Sequence, residues 1–289
     1  AEGKVNVSFE VTSSAEKMVV DITKENLPRR VTLNKHIDLE FALFYQDYGN
    51  KLSRVISERI CLKDEKTTVE IPLNGFSAKD LGVALNYKDY AYADIIMDNL
   101  SIEFFLKNIK HVEPLMKAQI FISMIKKIES GKMNPVPLFE WVAQQLSEDE
   151  IPYLTSEYLI YSTKLMDCYL PEKLREKCGR IMFSKLYSIL VSYNSTQDKS
   201  KEELSVTIQE YITNFAYSNE DMLSLVKWMQ KKNSALSKVS ITGVLMGRII
   251  EEIFLRKLLP QSETDYMKSV YVKKHPYYLN FTVGAEADI

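Results

Sequence analysis

Histidine is the scarcest of the chemically versatile residues in this chain. There are three, His36, His111 and His275, in 289 residues. A zinc peptidase site needs two His one helical turn apart with a Glu beside them, because positions i and i+4 share a helix face. None of the three has a His partner at i+4, so the sequence excludes that site within this chain. Cysteine is equally scarce. Cys61, Cys168 and Cys178 form no Cys-x-x-Cys pair, which reads as reduced thiols, buried or half-buried, in a reducing compartment. Glycine and proline number nine each, and the glycines are scattered. No Walker A, Gly-x-Gly-x-x-Gly or Gly-x-Ser-x-Gly occurs, and so few breakers argue against disorder.

No apolar run approaches the roughly 20 residues needed to span a bilayer. No signal peptide opens the chain, which predicts no membrane partner and a cytoplasmic location. The opening Ala1-Glu2-Gly3, without Met, is what a processed or excised piece would show. Charge of one sign is missing too. With 37 basic and 39 acidic side chains the net charge is −2, which predicts no nucleic-acid partner. Short pairs such as Lys126-Lys127 and Lys231-Lys232 read as solvated helix ends.

What is present falls into two regimes. From Lys4 to Val11 apolar and polar residues alternate, and Met18 to Ile22, Ile37 to Tyr45, Leu52 to Leu62 and Thr67 to Pro72 follow suit. Leu81 to Leu85 is a short apolar strand. Asn26-Leu-Pro-Arg reads as a break, and Tyr48-Gly-Asn-Lys as a hairpin turn. After Asp98 the period becomes helical. Asn99 or Ser101 can cap a helix through Lys107. Further helices are expected over Leu115 to Ile128, from Pro137 to Leu146, from Ser147 to Met166, and from Leu174 to Tyr193. Four more follow: Glu202 to Tyr217, Met222 to Gln230, Val239 to Leu259, and Glu263 to Val272. Ser195 to Lys201 reads as a polar loop, and the stretch from His275 as irregular. Helices joined by short loops pair antiparallel and stack. The expected architecture is a multi-domain α+β chain. A small antiparallel β-sandwich occupies residues 1–85, and an all-α superhelical array of helix hairpins, HEAT-like, occupies 86–289.

Tyrosine is abundant, at 17. Tyr87, Tyr90 and Tyr92 crowd the change of period, and Tyr153, Tyr158 and Tyr161 one helix. Such tyrosines pack a core or line a wet groove that holds peptide. Arg248, Glu251 and Glu252 lie within one turn of a late helix. They form either an ion-paired face or a patch for a peptide terminus. Tyr158, Tyr161, Arg248 and Glu251 are the substrate-contact candidates; no residue is a candidate for catalysis, metal or cofactor. An enzyme using Cys168 or the tyrosines is a further reading.

The residues at the change of period, Asn86, Tyr92, Ala93, Ile95, Asp98 and Ser101, resemble a segment of the M1-family zinc aminopeptidases of the aminopeptidase N type. That segment joins the family's β-sandwich to its C-terminal helical domain. Its pattern is an Asn-Asp-Asp stretch, then Thr-Tyr-Ala-Lys-Ile-Arg-Leu-Asp, two residues and Ser. Gly49-Asn-Lys-Leu-Ser-Arg is similar to the family's Asp-Gly-Lys-Leu-Val-Arg turn, and Thr67-Thr-Val-Glu-Ile-Pro to its Thr-Glu-Val-Pro. Glu113-Pro-Leu-Met-Lys-Ala-Gln-Ile is similar to its Asp-Pro-Leu-x-Arg-Ala-Leu helix. The resemblance runs from residue 4 to about 170, and beyond that rests on helix order. Asp94 and Ile96 replace the family's Lys and Arg, so no role of those cations is carried over. Gly-x-Met-Glu-Asn and His-Glu-x-x-His, which carry catalysis, are absent. The resemblance implies the last two domains of a larger enzyme, with zinc and catalysis in a missing upstream domain. This chain would wall a chamber that gates and binds peptide, and would hydrolyse nothing alone. The rival reading is a stand-alone HEAT-like scaffold.

Overall fold

In the computed structural model the described residues are 5–14, 16–25, 37–47, 51–88, 91, 93–148, 152–196 and 202–274. The expected break at 26–29, the turn at 48–50, Tyr90, Tyr92, His36 and the stretch from His275 lie outside them. The chain is α+β, two small sheets followed by helices. It divides into two compact units, Ala1–Met133 and Asn134–Ile289. The change of hydrophobic period at residue 85 therefore lies inside the first unit, which keeps two helices with the sheets.

The first unit contains β1 (Val5–Ser13), β2 (Lys17–Glu25), β3 (Ile37–Gln46), β4 (Leu52–Leu62), β5 (Lys66–Pro72), β6 (Leu81–Leu85) and β7 (Ala93–Ile96). One sheet has the order β5-β2-β1-β7 and the other β4-β3-β6. Period-two alternation does what it should in β1 and β2. Val5, Val7, Phe9, Met18, Val20 and Ile22 are buried, while Glu10 and Asp21 face water. Each such side chain contributes about 1.5–3 kcal/mol on burial. Lys24, buried at the end of β2, reaches the other sheet, its Nζ donating to the carbonyls of Leu62 and Lys63 at 3.4 Å. β3 is buried continuously from Leu39 to Phe44 and β6 throughout, so the second sheet is covered on both faces. β4, at its edge, is mostly exposed and carries Arg54, Glu58 and Arg59, charges that discourage edge pairing.

Among the described residues every pairing is antiparallel except one: β7 runs parallel to β1, with Val5 opposite Ala93 and Ser8 opposite Ile96. The described pairings within residues 1–85 are antiparallel, as expected of the sandwich; the parallel one is added by β7, where no strand was expected. Two helices close the sheets. They are α1 (Asn99–Lys107) and α2 (Pro114–Glu129). The N-cap of α1 is Asp98, not Asn99 or Ser101; its carboxylate accepts from the amides of Leu100 (3.0 Å) and Ser101 (3.2 Å). The hydroxyl of Ser101 is then available to β6, accepting from the Val83 amide at 3.1 Å. Ser123 of α2 does the same for β7. It accepts from the Met97 amide at 3.1 Å and donates to the Ile95 carbonyl at 2.9 Å. Between the two strands, Asn86 takes φ +54°, which Asn tolerates, and its side chain exchanges two hydrogen bonds with the backbone of Ala91. Asn86, Asp98 and Ser101, three of the residues that carry the resemblance, thus act as latch, cap and seal.

The second unit holds α3 (Val136–Glu148), α4 (Pro152–Cys168), α5 (Glu172–Thr196), α6 (Glu202–Phe215), α7 (Asn219–Met229), α8 (Gly243–Arg256) and α9 (Gln261–Lys274). Several helices touch both a sequence neighbour and the helix two places along, as α3 does α5, α4 does α6 and α6 does α8. The helix expected from Val239 begins only at Gly243. Buried Gln209 of α6 donates to the Ser240 carbonyl and accepts from the Thr242 amide, and Trp228 Nε1 donates to the Val239 carbonyl. These bonds hold 239–242 extended, and Thr242 caps α8 through the Leu245 amide. Arg256 in turn donates to the carbonyls of Ala216 and Tyr217 just past α6.

Candidate functional site

The proposed peptide contacts lie in the second unit, and the structure separates them. Tyr158 has no exposed surface. Its ring meets Trp141 of α3 edge-on at 5.3 Å. Thr155, Tyr158 and Ser162 follow one another along one buried face of α4. Tyr158 is therefore a core residue, and the reading of it as a groove wall is corrected: helical spacing does not say which face is inward. Tyr161 is half-buried on the same helix. Arg248 of α8 donates to the Glu210 carbonyl of α6, so its guanidinium is committed at least partly to helix packing. Glu251 is exposed. α5 carries a shallow groove of about 430 Å³ along one stripe, lined by Lys173, Glu176, Lys177, Arg180, Ile181 and Ser184.

The first unit contains a further concavity. A cavity of about 420 Å³ opens where β3, β4, the loop after β6, α1 and the start of α2 meet. Its apolar side is Phe44, Phe105 and Met116, and its polar side Arg54, Lys88 and Glu113. Tyr87 stands between. Its ring meets Phe44 edge-on at 5.1 Å, and the Arg54 guanidinium lies 5.5 Å from its centroid. Burial, and then the hydrogen bond to the Glu113 carboxylate, push the Tyr87 phenol above its ordinary value. Behind the cations lies Glu40 of β3, which is buried. Its Oε1 accepts from the Ser57 hydroxyl and lies 3.8 Å from Arg54 and 3.7 Å from Lys88. Strict alternation gave no warning of this, because a polar residue between Leu39 and Phe41 reads as solvent-facing.

Among the described residues no group of three or more His, Cys, Asp or Glu is placed to hold a metal ion, and no helix is long and apolar enough to cross a membrane. The three cysteines are free. Cys178 is buried, and burial pushes its thiol up to about 11. Cys61 and Cys168 are exposed, which corrects the expectation that all three are at least half-buried.

No family model matches the chain, and no curated protein matches it in sequence. Among solved structures it is similar to the crystal structure of Legionella pneumophila aminopeptidase A in complex with aspartic acid, with a TM-score of 0.50. Sequence identity is 11%, and the match covers 98% of this chain and 34% of that one. This chain thus spans about a third of the length of that aminopeptidase, and the two share a fold over that part. The fold is aminopeptidase-like.

Proposed function

We propose that this chain is the non-catalytic portion of a zinc metalloaminopeptidase of the M1 type, lining the chamber in which an upstream domain trims peptides. The observation that carries the reading is the fold likeness over 98% of this chain to about a third of an aminopeptidase. The sequence motifs at Asn86–Ser101 and Glu113–Ile120 support it, as does the lack of His-Glu-x-x-His in this sequence. On this reading zinc and hydrolysis belong to the upstream domain, and this chain contributes gating and peptide contacts. The charged groove on α5 and exposed Glu251 are the surfaces suited to those contacts. A HEAT-like curvature of the helical unit and a cytoplasmic location belong to the same reading.

The test is the reading frame and the protein made from it. The frame should extend several hundred residues upstream and encode His-Glu-x-x-His, and the longer protein should release aminoacyl reporter groups only with zinc present. The present chain, purified with zinc, should release none and bind no stoichiometric zinc. A frame that starts at Ala1 refutes the proposal and favours a stand-alone scaffold.

A further inference from the structure

The cavity of the first unit gathers two cations beside one buried carboxylate, with His111 and Glu113 also on its lining. Arg54 and Lys88 stand 3.8 and 3.7 Å from the same Glu40 oxygen, too far for a hydrogen bond. That oxygen takes its hydrogen bond from Ser57 instead. Neither cation hydrogen-bonds any other described residue. A guanidinium offers five N–H donors in a rigid fork and an ammonium three, and both line the cavity. An acceptor placed there would meet donors already oriented. Arg54 is held by the Tyr87 ring beneath it, and Tyr87 by Phe44 and by Glu113, so the Arg54 side of the cavity is built before any ligand arrives.

Two further features define what fits. α2 starts at the cavity with Pro114 in its first turn and no side-chain cap, and its positive end adds to the field of the cations. Opposite, Phe44, Phe105 and Met116 offer an aromatic and thioether surface. The volume, about 420 Å³, is in the range of small-molecule sites. We propose that this cavity binds a small organic carboxylate carried on an apolar or aromatic body. Arg54 and Lys88 receive the carboxylate, and Phe44, Phe105 and Met116 receive the body. Glu40 is the internal competitor: it draws both cations toward itself and so limits affinity. The site lies wholly in the first unit and does not depend on what the rest of the protein catalyses.

The test uses the whole chain and the probe 4-phenylbutyrate, compared with its primary amide, by calorimetric titration at neutral pH and low salt. The acid should bind with a Kd of about 1 mM or tighter. The amide, which has the same body without the charge, should bind at least about fivefold more weakly. Arg54→Met and Lys88→Met should each weaken the acid about fivefold or more and leave the amide unchanged. Both residues are exposed at the surface, so these variants should fold, which circular dichroism checks. Glu40→Gln should tighten the acid, because it removes the competing charge and keeps the Ser57 acceptor. Equal binding of acid and amide, no binding of either, or weaker binding by the folded Glu40→Gln variant overturns the proposal.

Discussion

Replacing Ser123 by Ala should unfasten β7. The Ser123 hydroxyl accepts from the Met97 amide at 3.1 Å and donates to the Ile95 carbonyl at 2.9 Å. Ser123 and Met97 have no exposed surface, and Ile95 is 3% exposed, so water cannot replace the lost partner without the strand moving. A buried polar group left without a partner costs about 1–3 kcal/mol, and two are orphaned here. Relief from desolvating the hydroxyl offsets part of that, leaving about 2–4 kcal/mol against a whole-domain stability of about 5–15. Ser101→Ala orphans the Val83 amide and removes one of three hydrogen bonds to the Asp98 carboxylate, and should cost about half as much or somewhat more. The assay is amide hydrogen exchange on the whole chain, which reports each position without assuming that the two units unfold together. Met97 should exchange at least tenfold faster in Ser123→Ala, and Val83 in Ser101→Ala, each by more than the amides of β2. The control is Ser130→Ala, whose hydroxyl donates only to the Lys127 carbonyl one turn back. If Ser123→Ala changes the Met97 rate no more than Ser130→Ala does, the sealing argument fails.

Three other outcomes follow from the same structure. Gly82→Ala puts a Cβ 2.2 Å from Cδ1 of Phe104, a ring packed edge-on against Phe105, and should lower stability by about 1–3 kcal/mol or more in thermal melts; an unchanged melt would mean that α1 sits farther from β6. Asp98 is buried, and burial raises its carboxyl above its ordinary value despite the hydrogen bonds from the Ser101 hydroxyl and from the amides of Ser101 and Leu100 that lower it. The folded state therefore binds this proton more tightly than the unfolded chain does. Its contribution is largest below the ordinary carboxylate range and is lost as pH rises through the raised value. Asp98→Asn keeps a good cap, so the stability of the native chain minus that of the variant should fall from acid to neutral pH in urea titrations; a difference that rises refutes the burial argument. A thiol reagent at mildly alkaline pH should label Cys168 fastest. Cys61 should follow more slowly, because the Asp38 carboxylate beside it raises its thiol, and Cys178 should wait for denaturant.

Much of the fold is legible where one element decides its own burial. β1 and β2 alternate because one face meets the interior, and their periods show it. Pro114 and Pro152 mark helix starts, Ser218 caps α7 through the Asp221 amide, and positive-φ Gly131 follows α2, as local chemistry suggests. Legibility fails where a distant partner decides. β7 is four residues long, and only its pairing with β1 makes it a strand. Asn99 and Ser101 both read as caps for α1, but Asp98 takes that place while the Ser101 hydroxyl serves β6. α8 starts late because Gln209, on another helix, claims the backbone ahead of it. Glu40 and Tyr158 show the same limit at the candidate sites. A strand or helix period says which residues share a face, but not what covers that face.

The parallel pairing of β1 with β7 also sets the order in which the molecule can be completed during its synthesis. β1 leaves the ribosome first among the described strands; β2 can pair with it soon after, and β5 with β2, both antiparallel. Its other edge must wait for Ala93–Ile96, and that strand in turn waits for Ser123. Such non-local pairings form slowly, because loop closure precedes the reward of contact. Until Ser123 is made, the nascent chain carries an open edge at β1, the hydrophobic strand Val5–Phe9. That interval is when a chaperone, or a second nascent copy, has its best access to the protein.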